Sequence, residues 1–229
     1  KVVAIGHGVM ADNNVTSSAD GAIGIGYSAL SVLTSGERNL AIGYQSGSQM
    51  TDADDSIGIG YQALNGTNAG TNSKNIAIGN YALDANLSNS VNNVAIGYNA
   101  LTAATGGQSN VAIGGNGAGG AITTADRIVA IGDGALGGAV QSDGNTGVGY
   151  SCLYNTTGAK NTAFGYQSAN TVTSGTENTV VGWDADASAS GAVNQTVIGS
   201  EATGVADNSV TLGNASVTDV YMSQDSQAY

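Results

Sequence analysis

One short pattern of hydrophobic and polar positions recurs along almost the whole chain. Residues 93–101 read NVAIGYNAL, while residues 39–47, 75–83 and 161–169 read NLAIGYQSG, NIAIGNYAL and NTAFGYQSA. An apolar residue precedes a glycine in every copy, and an aliphatic residue or Thr stands three positions before that glycine. Such self-similarity indicates a repeat architecture. The thirteen anchor glycines, 14 to 20 residues apart, are Gly6, Gly26, Gly43, Gly60, Gly79, Gly97, Gly114, Gly132, Gly149, Gly165, Gly182, Gly199 and Gly213.

Each copy predicts β-structure. The period-two alternation before the anchor glycine is typical of a strand with two different faces, and the glycine allows a tight corner. A second short unit follows, written YSAL, YQAL, YNAL or YSCL. The copies therefore predict an all-β parallel β-solenoid, a flattened β-roll of about thirteen coils with two strands of about five residues each, forming a rod of about 60 Å.

The array sets the domain organisation. Residues 1–213 form one repeat array, and residues 214–229 are predicted to be a transition segment that leads to a further domain. The first residues, KVVAIGHG, already belong to the repeat, so we expect a fragment of a longer polypeptide. The loops between the strands vary in length and sequence, and loops on a rigid scaffold often carry recognition. The variable loops are 8–21, 66–74, 84–92, 102–109, 119–127 and 137–144.

The facing of the strands decides which residues meet a partner. We expect the aliphatic residues one and three positions before the anchor glycine to fill the core, so that the small residue between them points outward. A continuous row of small residues would allow another sheet to approach closely, which predicts a homotrimer of parallel chains. If the strands face the opposite way, the aliphatic residues point outward, and another chain still has to cover them. The predicted trimer-packing residues are Ala4, Gly24, Ala41, Gly58, Ala77, Ala95, Ala112, Ala130, Gly147 and Ala163.

Composition and charge narrow the classes of function that the chain can have. The chain has 229 residues with 36 glycines and no proline, but its aliphatic residues recur too regularly for a disordered linker. The net charge of -12 excludes the basic surface that nucleic acids or anionic membranes require. No apolar run is long enough to span a membrane. Cys152 occupies a position that is Ala in other copies, and it is predicted to be a packed residue.

Aromatic residues follow the anchor glycine in many copies. They are predicted to form an aromatic ladder at the corner of the coils. The alternative is that their rings stack on the sugar rings of a ligand. The candidate stacking residues are Tyr27, Tyr44, Tyr61, Tyr98, Tyr150, Tyr166 and Trp183.

The remaining chemistry is sparse. The acids of TDADDS at 51–56 lack a calcium-binding loop pattern, and His7 is the only histidine. The run GGNGAGG at 114–120 lacks the Lys-Ser/Thr of a phosphate-binding loop. We therefore expect no catalytic residue, no metal and no cofactor, and the chain is not predicted to be an enzyme.

The NVAIGYNAL-type repeats resemble the head repeats of trimeric autotransporter adhesins, the YadA-like left-handed parallel β-roll, which also occur in bacteriophage tail fibres. The resemblance covers residues 1–213 and implies a parallel homotrimer that acts in attachment at a surface. The tail SVTLGNASVTDVYMSQDSQAY is similar to the end of tail-fibre shafts that precede a C-terminal intramolecular chaperone domain. The Tyr after the glycine and the uneven loops depart from the family pattern.

The sequence thus predicts an extracellular fibre segment, a phage tail fibre that binds a glycan or protein receptor on a cell surface. The first alternative is the head of a bacterial trimeric surface adhesin. A β-solenoid enzyme that cleaves surface glycans is the rival from another class.

Overall fold

The computed structural model describes residues 1–11, 19–66, 72–85, 88–138 and 142–221. Thirteen three-residue strands form one sheet in chain order, and every neighbouring pair is parallel. No helix occurs among the described residues. The strands are β1 (Val3–Ile5), β2 (Ile23–Ile25), β3 (Leu40–Ile42), β4 (Ile57–Ile59), β5 (Ile76–Ile78), β6 (Val94–Ile96), β7 (Val111–Ile113), β8 (Val129–Ile131), β9 (Thr146–Val148), β10 (Thr162–Phe164), β11 (Thr179–Val181), β12 (Thr196–Ile198) and β13 (Val210–Leu212).

The all-β parallel β-solenoid is confirmed, and the anchor glycines explain its corner. Equivalent residues of successive copies pair without slippage: Val94 with Val111, and Ile96 with Ile113. The anchor Gly97 has a φ of 129°, and a Cβ placed there would lie 2.0 Å from the carbonyl oxygen of Gly114. Only glycine can adopt this backbone and let the next coil approach so closely.

The second half of the coil differs from the prediction. Two strands of five residues were expected in each coil, but the structure has one strand of three residues, and the YSAL-type unit is a turn. In this unit Ser28 and Leu30 have φ values of 52° and 49°, in the left-handed region. The turns stack on one another through backbone hydrogen bonds, such as that from Leu30 N to Ser46 O at 3.1 Å. Left-handed residues at alternate positions cannot continue a strand.

The predicted facing of the small residues is wrong. In β2–β12 the middle residue of the strand points into the coil, against the leucines and alanines of the turn unit. The space is thin: a Cβ on Gly58 would lie 2.7 Å from the Ser46 hydroxyl oxygen. Residues buried in their own chain cannot form the surface that packs on another chain. The buried positions are Gly24, Ala41, Gly58, Ala77, Ala95, Ala112, Ala130, Gly147 and Ala163; Ala4, in the first strand, is exposed.

A row of buried asparagines, the asparagine ladder, joins successive coils. Asn110 shows the pattern: its Oδ1 accepts a hydrogen bond from Ile128 N at 2.9 Å, and its Nδ2 donates one to Ala125 O at 2.8 Å. Its own backbone N donates to Asn93 Oδ1 at 2.9 Å. Each side chain thus satisfies backbone groups of the next coil. The ladder consists of Asn39, Asn75, Asn93, Asn110, Asn145, Asn161 and Asn178.

Some predicted features lie partly outside the described residues. These are loops 8–21, 66–74, 84–92 and 137–144 and the transition segment 214–229. Loops 102–109 and 119–127 are described throughout, and they return the chain to the next strand without adding a strand of their own.

Candidate functional surface

The outer face of the sheet is an apolar ribbon. We define the ribbon as the first and last residues of β1–β13, which lie on either side of the buried middle residue. These residues are half-buried or exposed; Ile5 is 57% exposed and Phe164 is 51% exposed. At the spacings of a parallel sheet the ribbon is about 60 Å long and covers on the order of 600 Å², at the upper end of what monomeric proteins expose. Its only polar members are Thr146, Thr162, Thr179 and Thr196.

An aromatic row runs beside the ribbon, at the position directly after the anchor glycine. Tyr27 and Tyr44 have ring centroids 5.0 Å apart with an angle of 8° between the rings, and Tyr44 and Tyr61 continue the stack at 5.2 Å. Tyr81, one position later than the pattern predicts, contacts Tyr61 and Tyr98 edge to face. The ladder is therefore confirmed, and its stacked rings leave no space for a sugar ring between them.

The row has two runs. The first extends from His7, which stacks on Tyr27 at 5.3 Å, to Tyr98. The second contains Tyr150, Tyr166 and Trp183, with centroid separations of 5.2 and 5.7 Å. Gly115 and Asp133 occupy the two positions between the runs.

The basic side chains share another row. Each of them stands directly before the ladder position of its coil. The four pairs are Arg38 before Asn39, Lys74 before Asn75, Arg127 before Ile128 and Lys160 before Asn161. Three of them reach an acid one coil further on: Arg38 pairs with Asp55, Arg127 with Asp143 at 2.8 Å, and Lys160 with Glu177 at 3.0 Å. Arg38 also pairs with Glu37. Sequence reasoning missed this row, although the register of the copies reveals it.

Asp55 offers a test of this ion-pair row. The hydrogen bond from Arg38 lowers the pKa of Asp55 below its ordinary value of 3.8. Because the folded-state pKa is lowered, the pair favours the fold above the unfolded-state pKa, and this contribution disappears as the pH falls through the folded-state pKa. We expect Arg38→Gln to move the pKa of Asp55 up towards 3.8. An NMR titration of side-chain carboxyl carbons measures it, and an unchanged midpoint would contradict the pairing.

The acids of TDADDS point to different partners. Asp54 Oδ1 accepts a hydrogen bond from Glu37 N at 2.7 Å, Asp52 Oδ1 accepts one from the hydroxyl of Thr51, and Asp55 pairs with Arg38. Within the described residues, no group of three His, Cys, Asp or Glu side chains is arranged to hold a metal. Of these carboxylates, Asp54 and Asp55 connect coils.

Another carboxylate, Asp186, is half-buried near the C-terminal end of the array. Its oxygens accept hydrogen bonds from Thr171 N at 3.0 Å and Ala187 N at 2.9 Å. Burial raises the pKa of Asp186. The contacts are those of a structural residue that joins two loops.

Cys152 is buried and packs against the middle of β9. A Cβ placed on Gly147 would lie 2.9 Å from its Sγ, and burial raises the pKa of the thiol to about 12. The thiol therefore stays protonated at neutral pH. We expect no reaction with a disulfide reagent such as DTNB in the native protein and one thiol per chain after denaturation in guanidinium. Fast native labelling would contradict the packed position.

Comparison with protein-family models, curated proteins and solved structures yields no match. No described segment forms an apolar helix of membrane-spanning length. The ribbon, the aromatic row and the solenoid itself are therefore the observations that bear on function.

Proposed function

We propose that this chain is a rigid segment of a trimeric extracellular attachment fibre, with a phage tail fibre as the first assignment. The supporting observation is the ribbon, a mainly apolar face with four Thr among its members, which follows the sheet from β1 to β13. A surface of this length and regularity is typical of a face that another protein covers. The repeat resemblance supports a left-handed roll and attachment as the role.

The regular register favours copies of the same chain as the cover. Equivalent residues pair in register from copy to copy, so parallel chains can place each ribbon residue opposite its own equivalent along the whole rod. A three-fold axis along the rod closes the assembly and turns all three ribbons inward. Burial of the ribbon then adds a second apolar core to the thin one inside the coils. The outcome is a stiff rod with its loops outside.

The same geometry serves the head of a bacterial surface adhesin, which we keep as the second candidate. The two differ in what the fibre is attached to. In both, the rod holds loops and corners at fixed positions, and three identical copies bind a surface by multivalency. No chemical step is part of this role.

Light scattering after size-exclusion chromatography tests the assembly. We expect a mass of three times 22.4 kDa, independent of concentration in the micromolar range. A stable monomer with native β-structure by circular dichroism would overturn the trimer.

Attachment is tested separately by incubating the fluorescently labelled trimer with a panel of intact bacterial cells. We expect saturable binding to some of them. A trimer that binds none of the cells would overturn the attachment role and leave the assembly standing.

A further inference from the structure

The interruption of the aromatic row forms a notch on the side of the rod. We define the notch by Tyr98 and Tyr150 at its two ends and by Gly115 and Asp133 between them. Among the described residues, Tyr98 has a ring neighbour only in Tyr81 and Tyr150 only in Tyr166. The sides of both rings that face the notch therefore lack an aromatic partner. Three coil spacings separate the two rings, which is about 14 Å.

An inserted residue shapes the floor of the notch. In neighbouring coils the buried alanine of the turn stands three positions after the anchor glycine, as Ala100 does after Gly97, but Ala118 stands four positions after Gly114. The extra residue lies within the GGNGAGG run, where Gly117 N rather than Asn116 N donates to Tyr98 O. A Cβ on Gly115 would meet only Asp133 Oδ2, at 3.9 Å. The space over Gly115 is thus open apart from the carboxylate of Asp133.

The groups at the floor are polar. Asn116, exposed and with a φ of 43°, donates a hydrogen bond from Nδ2 to Asp133 Oδ2 at 2.8 Å. The ring of Tyr154 lies at one side, where a Cβ on Gly134 would be 3.7 Å from its Cε2. A carboxylate and an amide held together accept and donate hydrogen bonds side by side.

Uncovered aromatic rings near a carboxylate–amide pair are the chemistry that recognises pyranose sugars, whose C–H faces stack on rings while their hydroxyls bind polar groups. The separation of the rings leaves space for about two sugar units, one against each tyrosine. The chain's net charge of -12 opposes acidic glycans. We propose that the notch binds a neutral oligosaccharide. The inference rests on the attachment role, because it names the chemistry of the receptor.

The test uses the assembled protein and an array of short neutral oligosaccharides of glucose, galactose and N-acetylglucosamine, with sialylated counterparts. We expect binding to neutral glycans and weaker binding to sialylated ones. The strongest ligand is then titrated by calorimetry. Gly115→Tyr or Asp133→Tyr fills the notch by continuing the aromatic row and is expected to weaken binding about tenfold or more. Tyr98→Ala and Tyr150→Ala are expected to weaken it similarly.

Tyr44→Ala is the matched control, because the ring of Tyr44 is stacked on both sides within the row. It is expected to leave glycan affinity within about twofold. Circular dichroism and the mass of each variant check the fold. Absence of binding to every neutral glycan, or binding that Gly115→Tyr leaves unchanged, overturns the inference. If Gly115→Tyr still binds cells like the wild type, the notch is not the receptor site and the attachment role survives.

Discussion

Replacing Ile78 and Ile96 together with aspartate is expected to convert the proposed trimer into monomers. Both residues are the last of their strands and lie in the ribbon, outside the core of their own coil. In a trimer the two changes place six carboxylates in an apolar interface, and each buried unpaired charge costs several kcal/mol. The mass from light scattering should fall to that of one chain while far-UV circular dichroism keeps its β-signal.

Asn92→Asp with Ser109→Asp is the control, since it adds the same charge to exposed positions away from the ribbon. Their φ values of 60° and 58° lie in the left-handed region, which Asp tolerates. This pair should stay trimeric. If the Ile78 and Ile96 variant also stays trimeric, the ribbon is not the interface.

Loss of one asparagine of the ladder is the second large effect. We expect Asn110→Ala to lower the free energy of unfolding by about 2–5 kcal/mol, since the buried Ile128 N and Ala125 O each lose a hydrogen-bond partner. Chemical denaturation measures the change. It has to be done at one fixed protein concentration, because stability of an oligomer depends on concentration.

Asn155→Ala is the matched control on the surface. Asn155 is exposed, and its replacement should change stability by no more than about 0.5 kcal/mol. A similar small effect for Asn110→Ala would mean that the ladder contributes little. Not every copy has Asn at the ladder position: Ile128 fills it by apolar packing and is fully buried.

The positions of the strands could be predicted because the signal repeats. A single VAI triplet could belong to many structures, but thirteen copies in one register leave a single alignment. Every observed strand begins three positions before its anchor glycine and ends directly before it, although the strands are shorter than expected. The asparagines of the ladder occupy one position of the same alignment, directly before the strand. Their short side chain reaches the backbone of the next coil, as the bonds of Asn93 to Gly107 O and Asn110 N show.

The facing of the strands could not be read from the alternation, because a period of two defines two faces without stating which is inside. The thin space opposite the turn unit decides it, and that unit was expected to be a strand. Leucines such as Leu64 and Leu101 occupy the left-handed region with φ values of 53° and 51°. Local propensity opposes this conformation in leucine, and the surrounding stack of identical turns maintains it.

The aromatic row was visible in the sequence, but its geometry was not. Tyr81 lies one position later than the pattern, yet its ring fills the space between Tyr61 and Tyr98. Gly115 and Asp133 read as simple departures from the repeat. Only the stacking of the coils shows that these two residues lie side by side, between the rings of Tyr98 and Tyr150.

Each strand contacts only the strands one coil before and one coil after it. A force that pulls one end of a single chain along the rod would therefore unfold the coils one after another. Optical tweezers should record a series of similar rips, each releasing roughly 50–70 Å of chain, the extended length of 14 to 20 residues. Such stepwise yielding dissipates the applied work and leaves the remaining rungs intact.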